Sequence, residues 1–467
     1  MQIQFLGAAR TVTGSKHLIT TESGKKILLD CGFFQGKGAE TDDMNRTFHF
    51  TPADIDYLIL SHAHIDHSGN IPNLVKQGFK GPIICTNATA DLCKIMLADS
   101  AHIQEADMRF LNKRRMKRGE KPLKPLYTIN DVDNCTELLV KVKYDQKHTV
   151  CEGVTVHFTD SGHILGSAAV NLEINENGKT TKLCFTGDIG RYNGSILKDP
   201  EPFPQADYII AESTYGDRLH GDAMYGEQEL FNAVFDTCIT KKGKLIIPAF
   251  SLGRTQELVY ALDKLETKKM LPRINVYVDS PLSINATNIM RDHPECFNEE
   301  ILEYMKTDPN PFGFSNLIYI QDVEDSKHLN ELPEPCIIIS ASGMAEAGRI
   351  KHHLANNVSN PNNTVLLVGY AEPHSLAGKL RAGKKNVTIF GTEYLVNANV
   401  IIMDSYSAHG DYKEMIQYLG CQDPAKVRQL FLVHGEYDVQ LNYKEKLEAV
   451  GFKHITIPEQ DQIIQAD

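Results

Sequence analysis

The sequence predicts a layered α/β fold, interrupted by a second α/β domain on a parallel sheet. Three observations carry that expectation. Short apolar runs of strand type alternate with amphipathic helical stretches along the chain. From about residue 244 the alternation becomes strictly strand then helix, the rhythm of βαβ units. The residues that look chemically active are separated by gaps too long for loops, so the chain between them must fold and return.

The elements follow in order. Residues 2–6, 26–29, 57–60 and 82–85 read as strands, and 87–103 as a helix. Asn177-Gly178, between apolar runs 168–174 and 180–185, is the dipeptide that a tight hairpin turn prefers. Residues 208–211 read as a strand and 227–240 as a helix. Strand 244–247 leads to a helix from Arg254, and 275–278 to one near Ser283. Strand 336–339 leads to helix 344–356, and 364–368 to a short helix. The chain then runs through helix 412–419, strand 429–433, helix 442–450 and strand 454–457.

Composition bounds the function. With 467 residues, 42% hydrophobic and 23% charged, the chain has enough material for two or three globular domains, which excludes a disordered or fibrous protein. A net charge of −12 argues against diffuse coating of nucleic acid or anionic membrane, yet permits a polyanion at one locally basic site. The ten cysteines are scattered without a CxxC, which suits free thiols in a reducing compartment. No run approaches the roughly 18 apolar residues of a membrane span, and no signal peptide is recognisable, so a cytoplasmic location is expected.

Residues 61–70, Ser-His-Ala-His-Ile-Asp-His-Ser-Gly-Asn, carry the clearest chemistry. His62 and His64 lie two apart, on one side of an extended segment, while Asp66 and His67 can address a second point nearby. Imidazole and carboxylate are zinc-type ligands, and four of them within six residues suit two metal ions better than one. Further candidates follow apolar strands: Asp30, Asp188, Glu212 and His434, with His163 in the loop Ser-Gly-His-Ile-Leu-Gly. Side chains at one end of neighbouring strands converge on one rim. From Asp188 to His434 is 246 positions, which requires an inserted domain.

At these residues the sequence resembles the metallo-β-lactamase fold, and more narrowly its β-CASP branch of nucleic-acid-processing hydrolases, over essentially the whole chain. The resemblance implies an αββα sandwich at 1–213 and 385–467, with a parallel-sheet α/β β-CASP domain inserted at 214–384. It implies two zinc ions per chain, one on His62, His64, His163 and Asp188, the other on Asp66, His67, Asp188 and His434. Asp30 would orient ligands and a bridging water. His409, in Ser-Ala-His and paired with Glu212, would protonate the leaving 3′-oxygen. His434, in Val-His-Gly-Glu where DNA-processing members carry Val, points to the RNA-processing members.

The expected activity is therefore zinc-dependent hydrolysis of single-stranded RNA by an endonuclease, with a 5′→3′ exonuclease mode open. A small-ester, thioester or lactam hydrolase and a non-catalytic RNA-processing subunit are the alternatives. The oligomeric state is open between monomer and homodimer. Two segments of the insert offer anion sites where a strand joins a helix: Ser251, Gly253 and Arg254 in one, Ser342, Gly343 and Arg349 in the other. Residues 109–124 hold eight cations against Glu120, in an insertion between His67 and His163.

Overall fold

Strand pairing divides the chain. The computed structural model describes residues 1–36, 39–219, 226–369, 371–403 and 407–466. Among these residues the strands form two seven-stranded sheets, one six-stranded sheet and a separate hairpin. The first sheet is ordered Ile463–Gln465, Gln2–Gly7, Lys16–Thr20, Lys26–Leu29, Tyr57–Ile59, Ile83–Thr86 and Leu139–Val142. The second is ordered Ile455–Thr456, Gln429–Leu432, Tyr208–Ala211, Lys179–Phe185, Ala168–Glu176, Val154–Asp160 and His148–Cys151. Each is half antiparallel and half parallel, the parallel halves beginning at Lys26–Leu29 and at Lys179–Phe185.

The two sheets pack face to face because alternate residues of each strand are apolar on the shared side. Ile27, Leu29 and Ile59 from one sheet meet Phe158, Val170, Phe185, Ile210 and Phe431 from the other in one buried cluster. The opposite faces are also apolar and take helices. Ile209, Ala211, Leu430 and Leu432 pack with Met415, Tyr418 and Leu419 of helix Tyr412–Leu419 and with Tyr443 and Leu447 of helix Tyr437–Ala449. Helix Asn87–Lys117 lies on strands Ile83–Thr86 and Leu139–Val142. The order is helix, sheet, sheet, helix, as expected.

The chain separates into two compact units: 1–192 with 199–219 and 409–467, and 193–198 with 220–408. The second unit holds the six-stranded sheet, ordered Leu317–Tyr319, Asn275–Asp279, Cys336–Ser340, Leu245–Pro248, Thr364–Val368 and Asn399–Met403, with every pair parallel. Its last strand sets the boundary. Asn399–Met403 pairs along its whole length with Thr364–Val368, so the second compact unit runs to 408, past the 384 expected for the insert.

Other differences have local causes. Helix Asn87–Lys117 runs fourteen residues past the expected end at 103, because the added stretch is rich in Arg, Lys and Met, which favour helix without an apolar stripe. The helix expected at 344–356 forms only over Ile350–Asn357. Residues 342–349 form a loop instead, with Gly348 at φ 82° and Ala345 at φ 56° in the left-handed region. Strands Lys16–Thr20 and Leu139–Val142 add to the expected set, because their sequences, KHLIT and LVKV, carry weak or polar alternation that does not announce them.

The insert is tied internally by a buried carboxylate. Asp279, at the end of its strand, accepts hydrogen bonds from Arg349 Nη1 (2.6 Å), His353 Nε2 (2.7 Å) and Ser326 Oγ. Burial works against its charge, but the hydrogen bonds from His353, Ser326 and Arg349 outweigh that and hold the carboxyl below the usual carboxylate range. Asp279→Ala leaves a guanidinium and a buried imidazole without their acceptor. It should lower stability by about 3 kcal/mol, read as a lower urea midpoint. The stabilisation is in place above the unfolded carboxyl's pKa of about 3.9 and is lost as pH falls further through the folded value. The gap between wild type and variant should therefore close in acid.

Candidate metal centre

All seven expected ligands come together in the first unit, because their strands end at the same edge of the sandwich. Asp30 follows Lys26–Leu29, and His62 to His67 follow Tyr57–Ile59, adjacent strands of the first sheet's parallel half. Asp188, Glu212 and His434 follow Lys179–Phe185, Tyr208–Ala211 and Gln429–Leu432, adjacent in the second. His163 follows Val154–Asp160, two antiparallel steps from Lys179–Phe185, so its strand ends at the same edge.

The backbone is bent to deliver these side chains. Asp30 and His434 both sit in the left-handed region, at φ 58° and 51°. Non-glycine residues there cost about 1 kcal/mol or more and collect at functional positions. Gly32 permits the closest approach. A Cβ there would lie 1.6 Å from the carbonyl oxygen of Asp66. Without that bulk, the backbone beside it runs against the short helix Ile65–Ser68, and Cys31 N–H donates to His67 O at 2.8 Å.

The donors form two groups around one carboxylate. Asp188 Oδ2 is 3.5 Å from His62 Nε2 and 3.5 Å from His163 Nε2, and His163 Nε2 is 3.1 Å from His64 Nδ1. Asp188 Oδ1 is 3.2 Å from His67 Nε2 and 3.7 Å from His434 Nε2, and His434 Nε2 is 3.5 Å from Asp66 Oδ2. Each Asp188 oxygen thus faces a different set. A tetrahedral ion with bonds of about 2.0–2.1 Å has ligand-to-ligand edges of about 3.3–3.4 Å, and the separations bracket that value.

Hydrogen bonding fixes which ring nitrogens are bare. Ser61 donates its hydroxyl to Asp30 Oδ2 at 2.8 Å, so its oxygen accepts from His62 Nδ1–H at 3.0 Å. His62 Nε2 is left with a lone pair, buried and without a hydrogen-bond partner, as is Asp188 Oδ1. Thr214 Oγ1 contacts His434 Nδ1 at 2.9 Å and donates to the His434 carbonyl, which holds the ring with Nε2 toward Asp66 and Asp188. Asp30 Oδ2 takes the Nδ1–H of His67 at 2.6 Å. Bare imidazole nitrogens and carboxylate oxygens buried together repel one another, and a cation removes the repulsion. The donor set therefore fits a metal.

Charge follows the same logic. Burial pushes the His62 pKa well below its ordinary value, and His64 is lowered to about 4, so both are neutral and ready to bind a cation. Burial also opposes charge on His67, but Asp188 and Asp30 on its two nitrogens raise its pKa well above normal. A metal bound at His67 Nε2 would take the place of that proton. His409 Nδ1 lies 3.2 and 3.3 Å from the two Glu212 oxygens, and its Nε2 is 4.0 Å from Asp188 Oδ2. Burial opposes its charge, yet Glu212 raises its pKa to about 9. Glu212 is itself held by the N–H groups of Ile189 and Thr214.

The substrate-contact candidates lie in the insert, and the structure sorts them. Ser251 Oγ is 3.2 Å from Ser280 Oγ, and a Cβ on Gly343 would meet the Phe250 ring at 2.8 Å. These residues gather at the carboxyl edge of the parallel sheet, the end where such sheets receive ligands. Gly253, at φ 78°, stands at the N-terminus of helix Arg254–Thr267, which begins at the expected Arg254. The Ser342–Gly343 segment does not cap a helix, since the next one starts at Ile350. Arg349 is held by Asp279 and by the carbonyls of Ile320 and Gln321, and Arg254 is buried and paired with Glu257. Both guanidinium groups are engaged in the insert's own framework rather than displayed for a phosphate. Sequence reasoning passes over Ser61 and Thr214. Both stand inside recognisable motifs, but a serine or threonine beside a ligand carries no signal of its own.

Comparison with known proteins follows the division of the chain. Residues 14–248 match the metallo-beta-lactamase superfamily, 255–380 the Beta-Casp domain, and 393–458 the Zn-dependent metallo-hydrolase RNA specificity domain. The chain is 33% identical over 451 residues to Ribonuclease TTHA0252 of Thermus thermophilus, covering 97% of this chain and 95% of that protein. It is 28% identical over 468 residues to Transcription termination factor FttA of Methanocaldococcus jannaschii, covering 98% and 70%. It is 28% identical over 452 residues to Cleavage and polyadenylation specificity factor 73 of Drosophila melanogaster, covering 96% and 62%. With a histidine–aspartate centre on the rim of an αββα sandwich and a parallel-sheet insert matched by its own domain model, the chain belongs to the metallo-β-lactamase superfamily, within its β-CASP metallo-hydrolases.

Proposed function

We propose that the protein is an RNA phosphodiesterase that works with two zinc ions per chain and cuts single-stranded RNA internally, with a 5′→3′ exonuclease mode on the same site. The observation that carries this reading is the division of donors about Asp188, whose two oxygens face separate sets of bare nitrogens. His62, His64 and His163 would hold one ion, Asp66, His67 and His434 the other, and Asp188 both. Zinc in that place supplies charge that acidifies water toward neutrality and stabilises a phosphate gaining negative charge. The RNA specificity domain matched at 393–458 and the ribonuclease among the relatives support RNA as the substrate.

The protein's own groups complete the reaction. Glu212 occupies the Nδ1 side of His409, which leaves Nε2–H directed toward the metal ligands. As water adds to phosphorus and the P–O3′ bond breaks, that proton passes to the leaving 3′-oxygen. The products are a 3′-hydroxyl and a 5′-phosphate. A carboxylate-held imidazolium is a competent acid near pH 7, and the pKa of about 9 set by Glu212 would fall toward that range beside bound cations. Asp30 acts through Ser61 and His67, setting their protons so that the ligand nitrogens face inward. The carboxyl edge of the insert's sheet, with Ser251, Gly253, Ser342 and Gly343, is the surface proposed to receive the RNA backbone.

Metal analysis of purified protein should give about two zincs per chain, and the loaded protein should cleave a labelled single-stranded RNA. RNA left intact while a small ester is turned over would overturn the reading. In His409→Ala the zinc content should persist while the cleavage rate drops by about 10²-fold or more. Zinc loss in that variant would make His409 a ligand instead of an acid. In Asp30→Asn the zinc affinity should weaken by about 10- to 100-fold, measured by competition with a chelator, while the fold is retained.

A further inference from the structure

Helix Asn87–Lys117 outruns the domain it packs on. Its last buried residue is Ala101, so at 1.5 Å per residue the remaining turns extend about 24 Å beyond that point. The return segment is pinned to the helix. Asn112 donates to the Leu123 carbonyl and accepts from the Leu123 N–H, both at 2.8 Å, and Arg115 Nε donates to Lys121 O at 2.9 Å. This is a built arm with defined faces. Arg109, Lys113, Arg114, Lys117, Arg118, Lys121 and Lys124 are exposed on it, and among the described residues only Arg115 of its eight cations has an ion pair, with Glu120.

Phe110 is 57% exposed, with the Arg114 guanidinium 4.5 Å from its ring centre. Met116 and Leu123 are also exposed, at 61% and 43%. Unpaired cations spaced along a helix match a phosphate backbone, and an aromatic ring already carrying a guanidinium is a surface on which a base can stack. An arm this basic in a chain of net charge −12 favours a polyanion over a protein docked through apolar contacts alone.

We propose that residues 109–124 form an accessory RNA-binding arm that holds phosphates through its cations and a base on Phe110, away from the metal centre. The proposal rests on the reading of the protein as an RNA phosphodiesterase. The test uses the full zinc-loaded chain and single-stranded RNAs of about 8 and about 40 nucleotides, over a range of salt concentrations. A variant with Lys113→Gln, Arg114→Gln, Lys117→Gln and Arg118→Gln keeps helix-favouring residues at exposed positions, so folding is retained. A second variant carries Phe110→Ala.

The charge variant should bind the long RNA at least about tenfold more weakly, with the salt slope reduced by about 0.7 for each phosphate the arm no longer neutralises. Phe110→Ala should bind several-fold more weakly with the slope unchanged. Cleavage of the short RNA should keep its kcat in both, while KM for the long RNA rises. Affinity and slope equal to wild type in the charge variant overturn the proposal and leave the apolar face to a protein partner. Wild type that binds the long RNA through the arm but cleaves neither RNA overturns the phosphodiesterase reading and leaves the arm standing.

Discussion

Asp188 is buried away from bulk solvent, with five histidine nitrogens arranged around its two oxygens, directly or through a neighbouring ring. Such an assembly is suited to cations, and most of the first unit can be read as the means of holding it together. Two sheets meet so that their parallel halves end at one edge. Left-handed backbone at Asp30 and His434 turns side chains inward, and glycine at 32 lets the short helix Ile65–Ser68 approach. The hydrophobic sandwich core supplies the rigidity that a site with these tolerances requires.

The hydrogen-bonded layer behind the ligands does as much as the ligands themselves. Ser61 converts the charge of Asp30 into a fixed tautomer of His62, and Thr214 holds the His434 ring from its Nδ1 side. Glu212 fixes the direction of His409 from the opposite side. These groups set where each proton lies, and that decides whether a ring binds a cation or donates a proton. The same division of labour recurs in the insert, where Asp279 binds Arg349 and His353 and no catalytic group is involved.

The net charge of −12 takes on a different meaning in this setting. Asp30, Asp66, Asp188 and Glu212 are gathered at one place, where bound cations would reverse the local sign. The positive charge of residues 109–124 is gathered at another. Acidity averaged over the chain therefore argues against diffuse binding of a polyanion, while two localised features are suited to one.

The identities of the clustered histidine and aspartate donors were legible in the sequence. HxHxDH is a local spacing, and the turn from extended segment to short helix divides it between two donor groups without help from the rest of the chain. Period-two and strand–helix patterns likewise sufficed for the fold class, since they report which faces are buried. What local pattern could not specify was long-range: that Asn399–Met403 completes the insert's sheet, that Arg349 is bound by Asp279 seventy residues away, and that Ser61 stands between Asp30 and His62. The extent of helix Asn87–Lys117 was hidden for a different reason, because an exposed helix has no apolar stripe to announce it. The sequence by itself determined which chemical groups were available. Tertiary structure decided which oxygens face which nitrogens and which cations of the arm stay exposed, because those choices depend on strands and side chains far apart along the chain being brought within a few ångströms.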